Sequence, residues 1–152
     1  MTELFDFTVH FPVGAGTALD ENHVRQLLAD ANSWEERYRQ LLLLAKQVPS
    51  VPQLWRHPDH EVGGCESRVW LLLCRDDAGK YHFAVDSESR IVKALLITIL
   101  AAANHQTADK IHRIQVASYL AELGFAQHIT LSRTNGLQAV WKKMSDFCAS
   151  FA

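Results

Sequence analysis

The chain has 152 residues, 48% apolar and 21% charged, with a formal charge of −2 and a pI near 6.4. That length suits one domain, 1–152, with a core that needs no staples, and the charge leaves no basic field for a nucleic-acid backbone. Three cysteines without a C-x-x-C pair argue against a secreted disulfide framework and for a reducing compartment. The opening Met1-Thr2-Glu3-Leu4-Phe5-Asp6 carries acids where a signal peptide needs a basic region. The longest apolar stretch, Ala94 to Ala103 with Thr98 inside it, is shorter than the roughly 20 residues that cross a bilayer. A cytoplasmic protein with no membrane contact is expected.

Residues 1–19 form an N-terminal arm in which Phe5, Phe7, Val9 and Phe11 alternate with polar residues, compatible with an edge strand or with an arm packed on the body. Asp20 caps a short helix carrying Val24, Leu27, Leu28 and Ala31. Ser33-x-x-Glu36 is a capping box, Ser33 at the cap and Glu36 reaching back. The helix it opens aligns Trp34, Tyr38, Leu41, Leu42 and Ala45, and Pro49 ends it after Val48. Pro49, Pro52, Pro58, Gly63 and Gly64 make the next stretch a long ordered loop, a feature that in a compact domain is usually functional.

Val69 to Leu73 reads as a strand apolar on both faces. Asp76-Asp77-Ala78-Gly79 is a hairpin loop with Gly79 in the left-handed position, and the strand from Lys80 to Asp86 returns with Tyr81, Phe83 and Val85 on one face. Asp86 is read as structural, serving the free amides of a long apolar helix capped by Ser87 and running to about Asn104, with Ile91, Leu95, Thr98, Ile99 and Ala102 inward. A short helix follows Thr107 with Ile111 and Ile114, and Gly124 closes another bearing Tyr119, Leu120 and Leu123. Ser132 caps the last helix, where Leu137, Val140, Trp141, Met144, Phe147, Cys148 and Phe151 recur at helical spacing. The expected class is α+β, with a small antiparallel sheet of two or three strands packed against several helices.

The chemistry concentrates at Gly63-Gly64-Cys65-Glu66-Ser67-Arg68, a flexible bend that runs into the buried strand. Cys74 and Cys148 lie in apolar patterns and read as core, whereas the neighbours of Cys65 make no core. By residue type alone Cys65 suits a sulfur acceptor, an acyl-transfer nucleophile, a metal ligand or a packed side chain. His57, His60 and Cys65, with Asp59 and Glu61 between, supply zinc-type donors but three at most, and Pro58 restricts the first. An acyl enzyme needs a histidine at Cys65, and His82, His105, His112 and His128 qualify by type without standing in a motif. Arg68 favours a Cys65 thiolate and Glu66 opposes it, their alternative being a solvated surface pair. Arg133, in the first turn of a helix whose dipole favours acids there, is a misfit that points to contact with the active loop or a partner.

Val62-x-Gly64-Cys65-x-Ser67-x-Val69-Trp70-Leu71 resembles the signature of the SufE-like family of sulfur acceptors. The resemblance extends through Trp34-Glu35-Glu36-Arg37-Tyr38, Asp86-Ser87-Glu88 with Ile91-Val92-Lys93-x-Leu95, and Gln127-His128-Ile129-Thr130 with Ser132-Arg133-x-x-Gly136-Leu137. Glu66-Ser67-Arg68 and Tyr81-His82-Phe83 are closer to the family's CsdE branch, while Ala94 stands where the family usually has Gly. The resemblance implies that Cys65 accepts persulfide sulfur from a pyridoxal-phosphate cysteine desulfurase and passes it to a downstream acceptor protein in iron–sulfur cluster assembly or tRNA modification. Gly63, Gly64, Glu66, Ser67, Arg68 and Arg133 would then serve the active loop and the partner contact. The chain itself would hold no metal and no cofactor.

Overall fold

The computed structural model describes residues 5–63, 67–125, 129 and 131–151, the side chains of Leu131 and Ser132 excepted. Among them the elements run α1 (Phe7–His10), α2 (Glu21–Ala29), α3 (Trp34–Gln47), β1 (Val69–Arg75), β2 (Lys80–Ser87), α4 (Arg90–Ala103), β3 (Gln106–Thr107), α5 (Ala108–His112), α6 (Val116–Glu122) and α7 (Leu131–Ala149). The strands form one antiparallel sheet in the order β1-β2-β3, so the fold is α+β as the pattern implied.

The hairpin follows from its turn. Asp76 Oδ1 accepts the Ala78 and Lys80 amides, both at 2.9 Å, and Gly79 takes φ 81°. Register is thereby set, pairing Trp70 with Asp86, Leu72 with Ala84 and Cys74 with His82. Val69 to Leu72 are buried, while Leu73 and Cys74 are half-buried, so Cys74 is not the core residue its apolar run implied.

Helix α4 is the centre of the molecule. Every residue from Ile91 to Ala103 is buried, against α3, β2, α2, α7 and α6, as a helix apolar on every side but for Lys93 and Thr98 requires. Ala94 is fully buried, and its carbonyl accepts the Thr98 hydroxyl at 2.9 Å. The cap of α4 is Ser89, whose Oγ accepts the Val92 amide at 3.3 Å, not Ser87. Ser87 closes β2 instead, donating its hydroxyl to the Arg68 carbonyl at 2.8 Å. Strand β2 runs on through Ser87, so the cap falls to Ser89, two residues later.

Other expectations shift in smaller ways. Ser33 caps α3 by accepting the Glu36 amide at 3.2 Å, but the Glu36 carboxylate turns forward to Gln40 at 3.0 Å, so the box is half made. The buried stripe of α3 is Leu41, Leu44 and Ala45, with Leu42 half-buried and Tyr38 at the exposed edge. Helix α7 begins at Leu131, which puts Ser132 inside its first turn and not at the cap. Leu137, Val140, Met144 and Cys148 form its buried stripe.

The N-terminal arm is a helical turn followed by a tightly anchored segment, not an edge strand. Asn104, fully buried, donates to the Val13 and Phe83 carbonyls, each at 2.9 Å, and accepts the Phe83 amide at 2.7 Å. Gly14, at φ +120°, packs where a Cβ would stand 2.6 Å from Asn104 Cβ. Phe11 and Val13 are carried into the core by this anchor.

Candidate functional site

The long loop after α3 contains two 3-10 turns, Gln53–Trp55 and Pro58–His60, and then meets the sheet. Glu61 bridges antiparallel to Trp70, and the Val62 amide donates to the Val69 carbonyl at 2.9 Å. The connection 63–68 therefore leaves and rejoins the sheet at one place. Gly63 is exposed, its Cβ position is open, and its φ lies outside the left-handed region, so this glycine is not required by sterics. Gly64, Cys65 and Glu66 lie outside the described residues. Ser67 is half-buried and Arg68 exposed.

Arg68 is already committed. Its Nε and Nη2 donate to Glu61 Oε1 at 3.2 and 2.9 Å, its Nη1 lies 3.8 Å from Glu88, and its carbonyl accepts from Ser87 and from the Glu88 amide. The Glu61 carboxylate raises the Arg68 pKa further, first by hydrogen bonding and then by charge. The charge that the sequence assigned to a neighbouring thiolate thus has carboxylate partners of its own, and this ion pair ties the segment before the connection to the segment after it.

Behind this pair lies a set of residues that the sequence did not connect. Asp86 is 2% exposed. Its Oδ2 accepts the Val51 amide at 2.7 Å and Arg56 Nη2 at 2.6 Å, its Oδ1 accepts the Ser87 amide at 2.9 Å, and Lys93 Nζ stands 3.7 Å away. Lys93 also donates to the Val48 carbonyl at 3.0 Å. Asp86 is structural, but it fastens the loop after α3 and not the amides of α4. A buried carboxylate needs such partners, because an unpaired one would be prohibitively desolvated. The guanidiniums of Arg56 and Arg68 lie 5.0 and 4.9 Å from the centroid of the Trp70 ring, so both sides of the connection converge on one indole.

The candidate histidines differ in their surroundings. His57 Nδ1 accepts the Asp59 amide at 3.1 Å, capping the second 3-10 turn, and its ring lies 6.5 Å from that of His60. Among the described residues no group of three His, Cys, Asp or Glu side chains could hold a metal ion. His82 sits at the turn end of the hairpin, about 17 Å along the strand from Val69 at 3.4 Å per residue. Both of its nitrogens are occupied, Nδ1 by His105 Nδ1 at 2.6 Å and Nε2 by Asp76 Oδ2 at 2.9 Å. His112 is exposed on α5, and His128 lies outside the described residues. His82 thus has both ring nitrogens engaged, and His105 its Nδ1.

Cys74 is half-buried beside that pair, and burial followed by the Asp76 charge raises its pKa. Cys148 is buried under the sheet, and desolvation pushes its thiol up to about 11. In both, the shift disfavours the thiolate, the reactive form. Arg133 is half-buried in the first turn of α7 and has partners within the protein. No helix among the described residues is long and apolar enough to cross a membrane.

Comparison with known proteins matches this architecture to one family. The SufE model, described as an Fe-S metabolism associated domain, matches residues 22–148. The sulfur acceptor protein CsdE of Escherichia coli (strain K12) is 38% identical over 125 residues, 82% of this chain and 85% of that protein. The solution structure of a hypothetical protein from Thermus thermophilus superposes with a TM-score of 0.65 over 86% of this chain and 96% of that one; at 17% identity this is a likeness of fold. On the match over 22–148 and the identity to CsdE, the chain belongs to the SufE family.

Proposed function

We propose that this chain is a sulfur acceptor that takes persulfide sulfur onto Cys65 from a pyridoxal-phosphate cysteine desulfurase. It stimulates that enzyme and delivers the sulfur to iron–sulfur cluster assembly or to tRNA-modification machinery. The observation that carries the reading is the motif Gly63-Gly64-Cys65-Glu66-Ser67 in a connection whose two ends, Val62 and Val69, are hydrogen-bonded to each other. A reactive group on a short segment with a fixed base can enter a partner's site without disturbing the fold.

In the transfer step the Cys65 thiolate attacks the terminal sulfur of the donor persulfide. The new S–S bond forms as the old one breaks, and the donor cysteine leaves as a thiolate, so no external oxidant or reductant is consumed. No local base is needed beyond what ionises the thiol, which agrees with the engagement of His82 and His105 elsewhere. Pyridoxal phosphate belongs to the desulfurase in this reading. Ser67, Arg68 and Arg133 frame the docking surface, the chain works as one domain with residues 1–19 as its arm, and its setting is the cytoplasm.

The direct test is desulfurase stimulation. Cys65→Ser abolishes it with an unchanged circular dichroism spectrum, because a hydroxyl cannot carry a persulfide, whereas Cys74→Ser and Cys148→Ser retain it. Stimulation by the Cys65 variant equal to that of the parent refutes the acceptor role.

A further inference from the structure

We propose that Trp70 is a positioning residue for sulfur transfer, setting the foot of the connection 63–68 through its two arginine partners; the inference rests on the reading of Cys65 as the acceptor. Trp70 is 3% exposed, and its Nε1–H is buried without a hydrogen-bond partner among the described residues. A buried orphan donor is destabilising and calls for an explanation. The orientation of the ring is therefore not set by its own polar atom. It is set by the faces of the ring, where Arg56 and Arg68 lie 5.0 and 4.9 Å from the centroid, inside the roughly 6 Å range of cation–π attraction.

The two arginines come from opposite sides of the connection, and each is tethered independently. Arg56 is held by buried Asp86 at 2.6 Å, and by the Val51 carbonyl, which accepts from its Nε at 3.1 Å. Arg68 is held by Glu61 at 2.9 Å. Asp86 is in turn the register partner of Trp70 across the hairpin. The upstream loop, the sheet and the downstream strand therefore share one indole, and neither end of the connection can shift without disturbing it. Geometry is what this arrangement offers, since Asp86, Glu61 and Glu88 already answer both positive charges. Cys65 lies three residues beyond Val62 and four before Val69, so the placement of that foot limits where its sulfur can be presented. Attack along an S–S axis tolerates little misplacement.

The test compares Trp70→Leu, which removes the ring, with Trp70→Phe, which keeps a face for both guanidiniums and removes the orphan donor. Arg68→Lys, at an exposed site, keeps the charge for Glu61 and loses the planar stack. Sulfur uptake by Cys65 is followed by intact mass at saturating desulfurase, and the half-saturating desulfurase concentration is measured separately. Trp70→Leu is expected to slow uptake on the order of 10-fold with an unchanged half-saturating concentration. Trp70→Phe recovers most of the rate, and Arg68→Lys loses a few-fold. The inference is overturned if Trp70→Phe is as slow as Trp70→Leu, or if Trp70→Leu and Arg68→Lys both match the parent. Should Trp70→Leu not fold, Arg68→Lys at the parent rate is enough to overturn it. A parent chain that acquires no sulfur defeats the acceptor reading itself, a result distinct from all of these.

Discussion

At the open end of the β1–β2 hairpin, Trp70 pairs with Asp86 and gathers Arg56, Arg68, Glu61 and Lys93; at the turn end, Cys74 pairs with His82 and gathers Asp76 and His105. The open end is built on guanidiniums, which stay charged at any ordinary pH, and on a carboxylate that is 2% exposed. The turn end is built on imidazoles joined at 2.6 Å through facing Nδ1 atoms, a contact that holds one proton and is broken by two. One end therefore keeps its cations at any ordinary pH, while the other rests on a contact between two imidazoles. The difference also separates the thiols: Cys74 is fixed within a strand where burial, and then the Asp76 charge, raise its pKa, while Cys65 follows two glycines in the sequence.

The sharpest way to break this comparison is to remove the carboxylate at the open end. Asp86→Ala strands Arg56 and Lys93 without their shared partner, and is expected to cost about 3–5 kcal/mol in urea unfolding, the range for a broken buried ion pair. A loss below about 1 kcal/mol, within the scatter of surface substitutions, would show that the open end is not held by this charge. Next in size is the anchor under the turn end. Gly14→Ala forces a side chain into left-handed backbone and against Asn104 Cβ, at an expected cost of about 2–4 kcal/mol. Gly63→Ala, with open space and ordinary backbone, should stay within about 1 kcal/mol. Equal effects at the two glycines would contradict the steric difference between them.

The smallest expected effect is a pH dependence. Burial, and then the charge of His82, lower the His105 pKa below its ordinary 6.5. The folded state therefore binds the His105 proton less readily than the unfolded state does. The associated stability is present above about pH 6.5 and is lost as pH falls through the lowered folded value. Asn also tolerates the positive φ of 63° at this position, so His105→Asn should flatten the loss of stability on the acid side without a new strain. A midpoint that falls equally steeply in the variant would place the acid sensitivity elsewhere.

Local signals were legible in the sequence and remote partnerships were not. The hairpin could be read because Asp76 and Gly79 lie within the turn they build, and α4 because its apolar run has no polar face. The pattern also singled out the motif around Cys65, since glycines, acids and a thiol at a strand entrance fit no core. The role of Asp86 could not be read, because its partners Val51 and Arg56 lie 35 and 30 residues upstream, in a loop without periodicity. Arg68 was matched to the nearest charges along the chain, whereas the fold pairs it with Glu61, seven residues back across a bridge that only the tertiary structure makes. Cys74 looked like core because the strand around it is apolar; its exposure comes from its place near the turn, where burial along β1 runs out.

The central claim is that one of three thiols carries sulfur, and the most direct measurement locates it. The purified chain is incubated with a cysteine desulfurase and cysteine, alkylated, digested and mapped by mass spectrometry. The account predicts one added sulfur on the peptide containing Cys65, with Cys74 and Cys148 unmodified. Sulfur on Cys74 or Cys148 in place of Cys65, or on none of the three under conditions where the desulfurase turns over, would contradict it.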